Sequence, residues 1–289
     1  MTNLVSTDWL AAHLDDPDLR VLDATWHMPS AERDAHAEFI AMHIKGAQFF
    51  DIDKTSDPQS KLPHMLPSAD QFAAQVGAMA VSNTSQVVAY DSYGMFSAAR
   101  CWWMFKVFGH DKVFVLNGGF KKWLAENRPT QSEEAVPRNR ALFTTTLNEN
   151  MVRNLVQVAQ SKSQIADARS PTRFRGEEAE PRSGVRAGHI PGAHNVHYAV
   201  LIASDGTMRP RQELAMRFAD SGIDITKSVI TSCGSGITAA ILSLALTELG
   251  ASNHALFDGS WTQWGSSTQP LATGEPAKLP PLNLAYYPP

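Results

Sequence analysis

The chain has 289 residues, 43% of them hydrophobic, and a formal net charge of -4. That length accommodates two domains of ordinary size with ample core, and the mildly negative balance excludes a general nucleic-acid binder. Residues 1–14 show no basic segment followed by an apolar one, and no run approaches a membrane span, so a cytoplasmic protein with no membrane partner is expected. The two cysteines, Cys101 and Cys233, exclude a disulfide framework and a Cys-rich metal site, and they suit a reducing compartment.

Read in chain order, the first landmark is Val21-Leu22-Asp23-Ala24, then His43-Ile44-Lys45-Gly46-Ala47. The pattern predicts a strand over 87–90, a helix over 98–108 closed by Gly109, and a strand over 113–116, before Asn117-Gly118-Gly119-Phe120 with Trp123. Residues 127–148 are rich in Pro, Thr, Ser, Glu and Arg without helical periodicity, as in a linker crossing the surface. The landmarks then return as Ile165-Ala166-Asp167-Ala168 and His189-Ile190-Pro191-Gly192-Ala193. A strand over 229–231, a helix over 238–249 closed by Gly250 and a strand over 254–257 follow, and Asp258-Gly259-Ser260-Trp261 with Trp264 ends the series. Four landmarks in one order imply a single plan used twice. Apolar strands alternating with helices give an α/β fold, each domain a mainly parallel sheet flanked by helices. The expected division is a first domain over 1–130, a linker over 131–150 and a second domain over 151–289. A tandem repeat supplies its own domain contact, so a monomer is expected.

The stretch Ser228-Val229-Ile230-Thr231-Ser232-Cys233-Gly234-Ser235-Gly236-Ile237-Thr238-Ala239 delivers one cysteine from a strand into a small-residue loop and then a helix. Glycines at 234 and 236 open backbone angles that let successive N–H groups turn toward the sulfur. Such a nest, with the positive end of the helix, favours a thiolate and a nucleophile. A buried structural cysteine is the alternative for such a residue. Asp91 occupies the matching strand end in the first half, beyond which open parallel sheets place their chemistry, but it carries no thiol and reads as a relic or a structural hydrogen-bonding residue. His43 and His189 recur together and read as structural, bonding the turn in each copy. Cys101, within Ala99-Arg100-Cys101-Trp102-Trp103, reads as helix packing.

With these motifs the chain resembles the tandem-domain rhodanese superfamily, and within it the branch that takes sulfur from 3-mercaptopyruvate. His189–Ala193 and Phe257–Trp261 look like its two recurrent motifs, and the loop Cys-Gly-Ser-Gly-Ile-Thr differs from that branch's usual Cys-Gly-Ser-Gly-Val-Thr by one aliphatic exchange. The resemblance implies an inactive amino-terminal domain and a catalytic carboxy-terminal one, with Cys233 as a persulfide-forming nucleophile and the loop N–H groups of Gly234, Gly236, Ile237 and Thr238 around the sulfur. It implies that Arg173 and Arg182 bind the carboxylate and carbonyl of the donor, a role that suits the guanidinium fork. It also implies a Ser-His-Asp arrangement of Ser235, His64 and Asp53, in which the carboxylate fixes the imidazole tautomer. Ala179 stands where the superfamily commonly has Pro. No metal or organic cofactor is called for. The expected partners are a small-molecule sulfur donor and a thiol acceptor, either thioredoxin or a small thiol, with cyanide as an alternative acceptor.

Three other functions compete. A thiosulfate sulfurtransferase shares the fold and the persulfide, but such enzymes usually carry cations after the cysteine, whereas Gly234, Ser235 and Gly236 leave this loop uncharged. A Cys-x5-Arg phosphatase needs an arginine where this chain has Ala239. A persulfide carrier or docking module would need no small-molecule donor site, and the arginines at 173 and 182 weigh against it.

Overall fold

The computed structural model describes residues 2–135 and 139–275. Residues 136–138 of the expected linker and 276–289 of the expected second domain lie outside the described residues. The chain forms two compact units. The first comprises Met1–Gln59, Leu66–Asn148 and Ala203–Met208, and the second Ser60–Met65, Glu149–Ile202 and Arg209–Pro289. Each unit therefore takes a short segment from the other half of the sequence.

In the first unit the strands are β1 (Leu4–Val5), β2 (Leu19–Asp23), β3 (His43–Ile44), β4 (Gln48–Phe49), β5 (Gln86–Tyr90), β6 (Val113–Leu116) and β7 (Thr130–Gln131). Five of them make a parallel sheet in the order β1-β6-β5-β2-β4. The second unit has β8 (Val152–Arg153), β9 (Gln164–Asp167), β10 (Ala193–Asn195), β11 (Val229–Ser232) and β12 (His254–Phe257). Its parallel sheet runs β8-β12-β11-β9-β10, the same order strand for strand. This is the repeated α/β plan expected from the landmarks.

The two strands nearest each site, β5 and β11, are buried along nearly their whole length, as central parallel strands must be when helices cover both faces. The helix after each is enclosed by its own domain: Ala98–Val107 and Ala239–Glu248 bury almost every residue, the charged Arg100 included. The helix predicted over 238–249 begins one residue later because Thr238 is its N-cap. The linker read as irregular does contribute β7, which pairs antiparallel with β3 and places Gln131 Nε2 2.8 Å from His43 Nε2.

The paired histidines are structural, as read, although each bonds an upstream carbonyl rather than its own turn. His43 stacks on Phe39 and contacts its carbonyl through Nδ1 at 2.7 Å. His189 does the same with Phe174 at 2.8 Å.

Asp91 ends β5 with a fully buried carboxylate that accepts five backbone N–H groups. Oδ1 receives those of Tyr93 and Gly94 at 2.9 and 3.0 Å. Oδ2 receives those of Phe96, Ser97 and Ala98 at 2.7, 2.9 and 2.8 Å. Burial raises its pKa even against these donors. The structural alternative for Asp91 is the one observed: the loop is an anion nest, filled from within. Replacing Asp91 with Ala strands several buried donors, so urea unfolding should show a loss of roughly 3 kcal/mol or more. An unchanged unfolding midpoint would contradict this reading of the loop.

Candidate active site

Cys233 lies just past the end of β11 and is 2% exposed. Its loop is one residue shorter than that of Asp91, counted from the strand end to the helix cap. Sγ accepts the N–H of Gly236 at 3.1 Å, and Gly236 has φ 85, a left-handed conformation that a side chain would strain. Gly234, Ser235, Ile237 and Thr238 make up the rest of the loop, and among the described residues none of their N–H groups is placed on sulfur. A thiol sulfur is one bond from Cβ whereas a carboxylate oxygen is two, so Sγ stays at the rim of a nest whose first-unit counterpart is filled to its centre.

The Phe257–Trp261 motif clamps this loop. The Cys233 N–H donates to Ser260 Oγ at 3.2 Å, and that hydroxyl donates to the Phe257 carbonyl at 2.9 Å. The Trp261 N–H donates to the Cys233 carbonyl at 2.9 Å. Thr262 gives both its N–H and its hydroxyl to the Gly234 carbonyl, at 2.9 and 2.6 Å. In the first unit Phe120 N–H donates to the Asp91 carbonyl in the same way.

His64 is part of the second unit although it lies early in the sequence. It is 4% exposed, and its Nδ1 lies 2.9 Å from Ser235 Oγ. Its φ of 60 is uncommon for a residue with a side chain and costs about 1 kcal/mol. The segment Ser60–Met65 thus delivers one imidazole to the hydroxyl two residues beyond the cysteine. Asp53 belongs to the first unit, where its Oδ2 accepts the indole N–H of Trp26 at 3.0 Å.

Arg173, on the helix Pro171–Arg175, comes up against the loop: a Cβ added to Gly234 would stand 3.2 Å from its Nη2. Gly234, unlike Gly236, does not have a positive φ, so its glycine is a matter of space beside Arg173 and not of the backbone angles expected from sequence. Arg173 Nη2 donates to Glu180, and its buried Nε has no hydrogen-bond partner among the described residues. Arg182 is half-buried in the stretch that follows, with its carbonyl accepting the Val185 N–H at 3.4 Å.

The basic run of Arg169, Arg173, Arg175, Arg182 and Arg186, which by sequence alone could equally be a solvated loop, does not form one exposed face. Arg169 has a side chain only 1% exposed, donates to Asp167 through Nε and Nη2, to Glu180 at 2.7 Å and to the Gly188 carbonyl at 2.8 Å, and lies 4.5 Å over the Trp261 ring. Arg175 pairs with Glu177 and Glu275, and Arg186 caps the carbonyls of Gly265, Ser267 and Gln269. In the first unit the residue at the place of Arg169 is Thr25, bonded to Asp23, whose pKa burial lifts to about 6. Glu180, Arg169, Ser260 and Thr262 were not singled out from sequence. Glu180 is one of three glutamates between two arginines, and only the fold shows which one turns inward.

The model of the rhodanese-like domain matches residues 6–126 and again 151–267. The chain belongs to the rhodanese family. Thiosulfate/3-mercaptopyruvate sulfurtransferase 1, mitochondrial, of Arabidopsis thaliana is 41% identical over 291 residues, covering 92% of this chain and 76% of that protein. The 3-mercaptopyruvate sulfurtransferase of Escherichia coli (strain K12) is 40% identical, over 92% of this chain and 95% of its own. The thiosulfate sulfurtransferase of Bos taurus is also 40% identical, over 90% and 91%. The crystal structure of a 3-mercaptopyruvate sulfotransferase from Escherichia coli superposes with a TM-score of 0.82 at 39% identity, covering 90% of this chain and 99% of that one. This rhodanese is accordingly an enzyme of the sulfurtransferase class. Overall identity does not separate the donors, since relatives named for either stand equally near, and the residues of the loop must do so.

Replacing Gly236 with Ala should cost about 1–2 kcal/mol and move the N–H off sulfur. Alkylation of Cys233 by iodoacetamide should then slow several-fold. An unchanged rate would show that Gly236 does not activate the thiol.

Proposed function

We propose that the enzyme moves sulfur from 3-mercaptopyruvate through a persulfide on Cys233 to an external thiol, releasing pyruvate. The observation that carries this reading is an uncharged cysteine loop with the Arg173 guanidinium set against Gly234. A doubly charged thiosulfate gains most from several cations close to its sulfonate, whereas a keto acid needs one carboxylate partner and a group for its carbonyl. Arg173, with a buried donor still open, suits the carboxylate, and Arg182 is assigned to the carbonyl end.

In the first half-reaction the Cys233 thiolate attacks the donor sulfur. The S–S bond forms as the C–S bond breaks, and the electron pair leaves with carbon as the enolate of pyruvate. Ser235, its hydroxyl 2.9 Å from His64, is assigned to stabilise the enolate oxygen or pass it a proton, and Asp53 is assigned as the carboxylate of that relay. The outer sulfur then lies two bonds from Cβ, the reach at which Asp91 receives five N–H groups in the first unit. The catalytic loop is expected to hold the persulfide in the same manner. In the second half-reaction an acceptor thiolate attacks that outer sulfur and restores Cys233.

The acceptor comes from outside the chain. Cys101 is fully buried in the Ala98–Val107 helix, and burial pushes its thiol pKa well up, so it is no resolving nucleophile. Thioredoxin or a small thiol fits this need, with cyanide as a substitute in assays. The two free cysteines support a reducing compartment such as the cytoplasm, and the proposal takes the enzyme as a monomer. Among the described residues no helix is long and apolar enough to cross a membrane.

Cys233→Ser should abolish turnover with every donor, and the wild type should show a higher kcat/KM for 3-mercaptopyruvate than for thiosulfate. Substantial sulfur transfer by the variant would remove the persulfide from the scheme. A wild-type preference for thiosulfate would replace the donor.

A further inference from the structure

Arg173 does not stand alone beside the cysteine loop. It is the end of a buried chain of alternating charges, Asp167 to Arg169 to Glu180 to Arg173. The side chains of Asp167 and Arg169 are 1% exposed and that of Glu180 is 4% exposed. Arg169 is fixed from several sides at once, by Asp167, by the Gly188 carbonyl and by the Trp261 ring. Glu180 spans the gap: Oε1 accepts from Arg169 at 2.7 Å, and Oε2 accepts from Arg173 Nη2, the same nitrogen that lies against Gly234. The guanidinium is thus held by one amino group, while the buried Nε remains without a partner among the described residues.

We propose that Glu180 is a positioning and donor-selecting residue for this site. It holds Arg173 against the loop and offsets part of its charge, so that the site favours a monoanionic keto-thiol over a dianion. Arg169 anchors Glu180 and takes no part in binding. Two arginines and two carboxylates leave the network with no net charge, and a dianion entering it meets a carboxylate directly behind the cation that stands against the loop. A single carboxylate gains the directed hydrogen bonds of Arg173 and experiences half that repulsion. Within the sheltered interior this difference is not screened as it would be at the surface.

This inference rests on the proposed donor reading, and the experiment separates the two. The full chain, as wild type, Glu180→Gln and Glu180→Asp, is assayed for kcat and KM with 3-mercaptopyruvate and with thiosulfate, using cyanide as acceptor. In Glu180→Gln the thiosulfate KM should fall and the 3-mercaptopyruvate KM rise, with kcat for the latter within about threefold of wild type. The ratio of the two kcat/KM values should move toward thiosulfate by about tenfold, equal to about 1.4 kcal/mol. Glu180→Asp keeps the charge but not the reach: it should raise the 3-mercaptopyruvate KM and leave the ratio within about threefold of wild type. Parallel loss with both donors in Glu180→Gln, or a tenfold shift of the ratio in Glu180→Asp, would overturn the role assigned to Glu180. Failure of the donor reading appears separately, in the wild type's own preference.

Discussion

The structure depends on one constraint, that a loop of backbone N–H groups at the end of a central parallel strand must be given an anion. The loop after β5 and the loop after β11 are each followed by a buried helix and held by a backbone N–H from the glycine motif, Phe120 in the first and Trp261 in the second. The first satisfies its donors permanently with the Asp91 carboxylate. The second carries Cys233, whose shorter side chain brings sulfur to the Gly236 N–H. The two loops thus differ in the anchoring atom, in length by one residue, and in the Arg173 guanidinium that stands against the second.

Around that thiol the charges are arranged with economy. The loop contributes none, and Arg173 approaches it from the Pro171–Arg175 helix. The remaining arginines of the basic run serve as internal ties: Arg169 to Asp167 and Glu180, Arg186 to three carbonyls. A guanidinium that is itself hydrogen-bonded is an oriented donor, and orientation matters more for a planar carboxylate than raw charge does. The imidazole of His64 arrives differently, on a short segment from the other half of the sequence and in a left-handed backbone conformation that its buried surroundings sustain.

Much of this was legible from sequence because it repeats. Strand–helix alternation and the two glycine-terminated helices mark the same plan in both halves, and the landmarks at His43 and His189 align two copies of one motif. The strand ends at Asp91 and Cys233 follow from the apolar runs that stop there. Partnerships formed across long separations left no such trace. Glu180 lies in an acidic stretch in which nothing local distinguishes it from Glu177 and Glu178, and its meaning comes from Arg169 and Arg173 meeting it in the fold. The reach of Ser260 and Thr262 back to residues 233 and 234 is equally invisible, since a serine or threonine after Gly259 fits any helix start. That Ser60–Met65 packs with the second unit and Ala203–Met208 with the first depends on the path of the chain, which local patterns do not encode.

The central claim is that Cys233 takes sulfur directly from 3-mercaptopyruvate, and a single-turnover experiment without acceptor addresses it most directly. The enzyme is mixed with the donor, quenched, digested and examined by mass spectrometry while pyruvate is measured in parallel. The expected result is one added sulfur atom on the peptide containing Cys233, none on that containing Cys101, and one pyruvate released per enzyme. Pyruvate release with Cys233 unmodified, or an unloaded enzyme that releases none, would contradict the account.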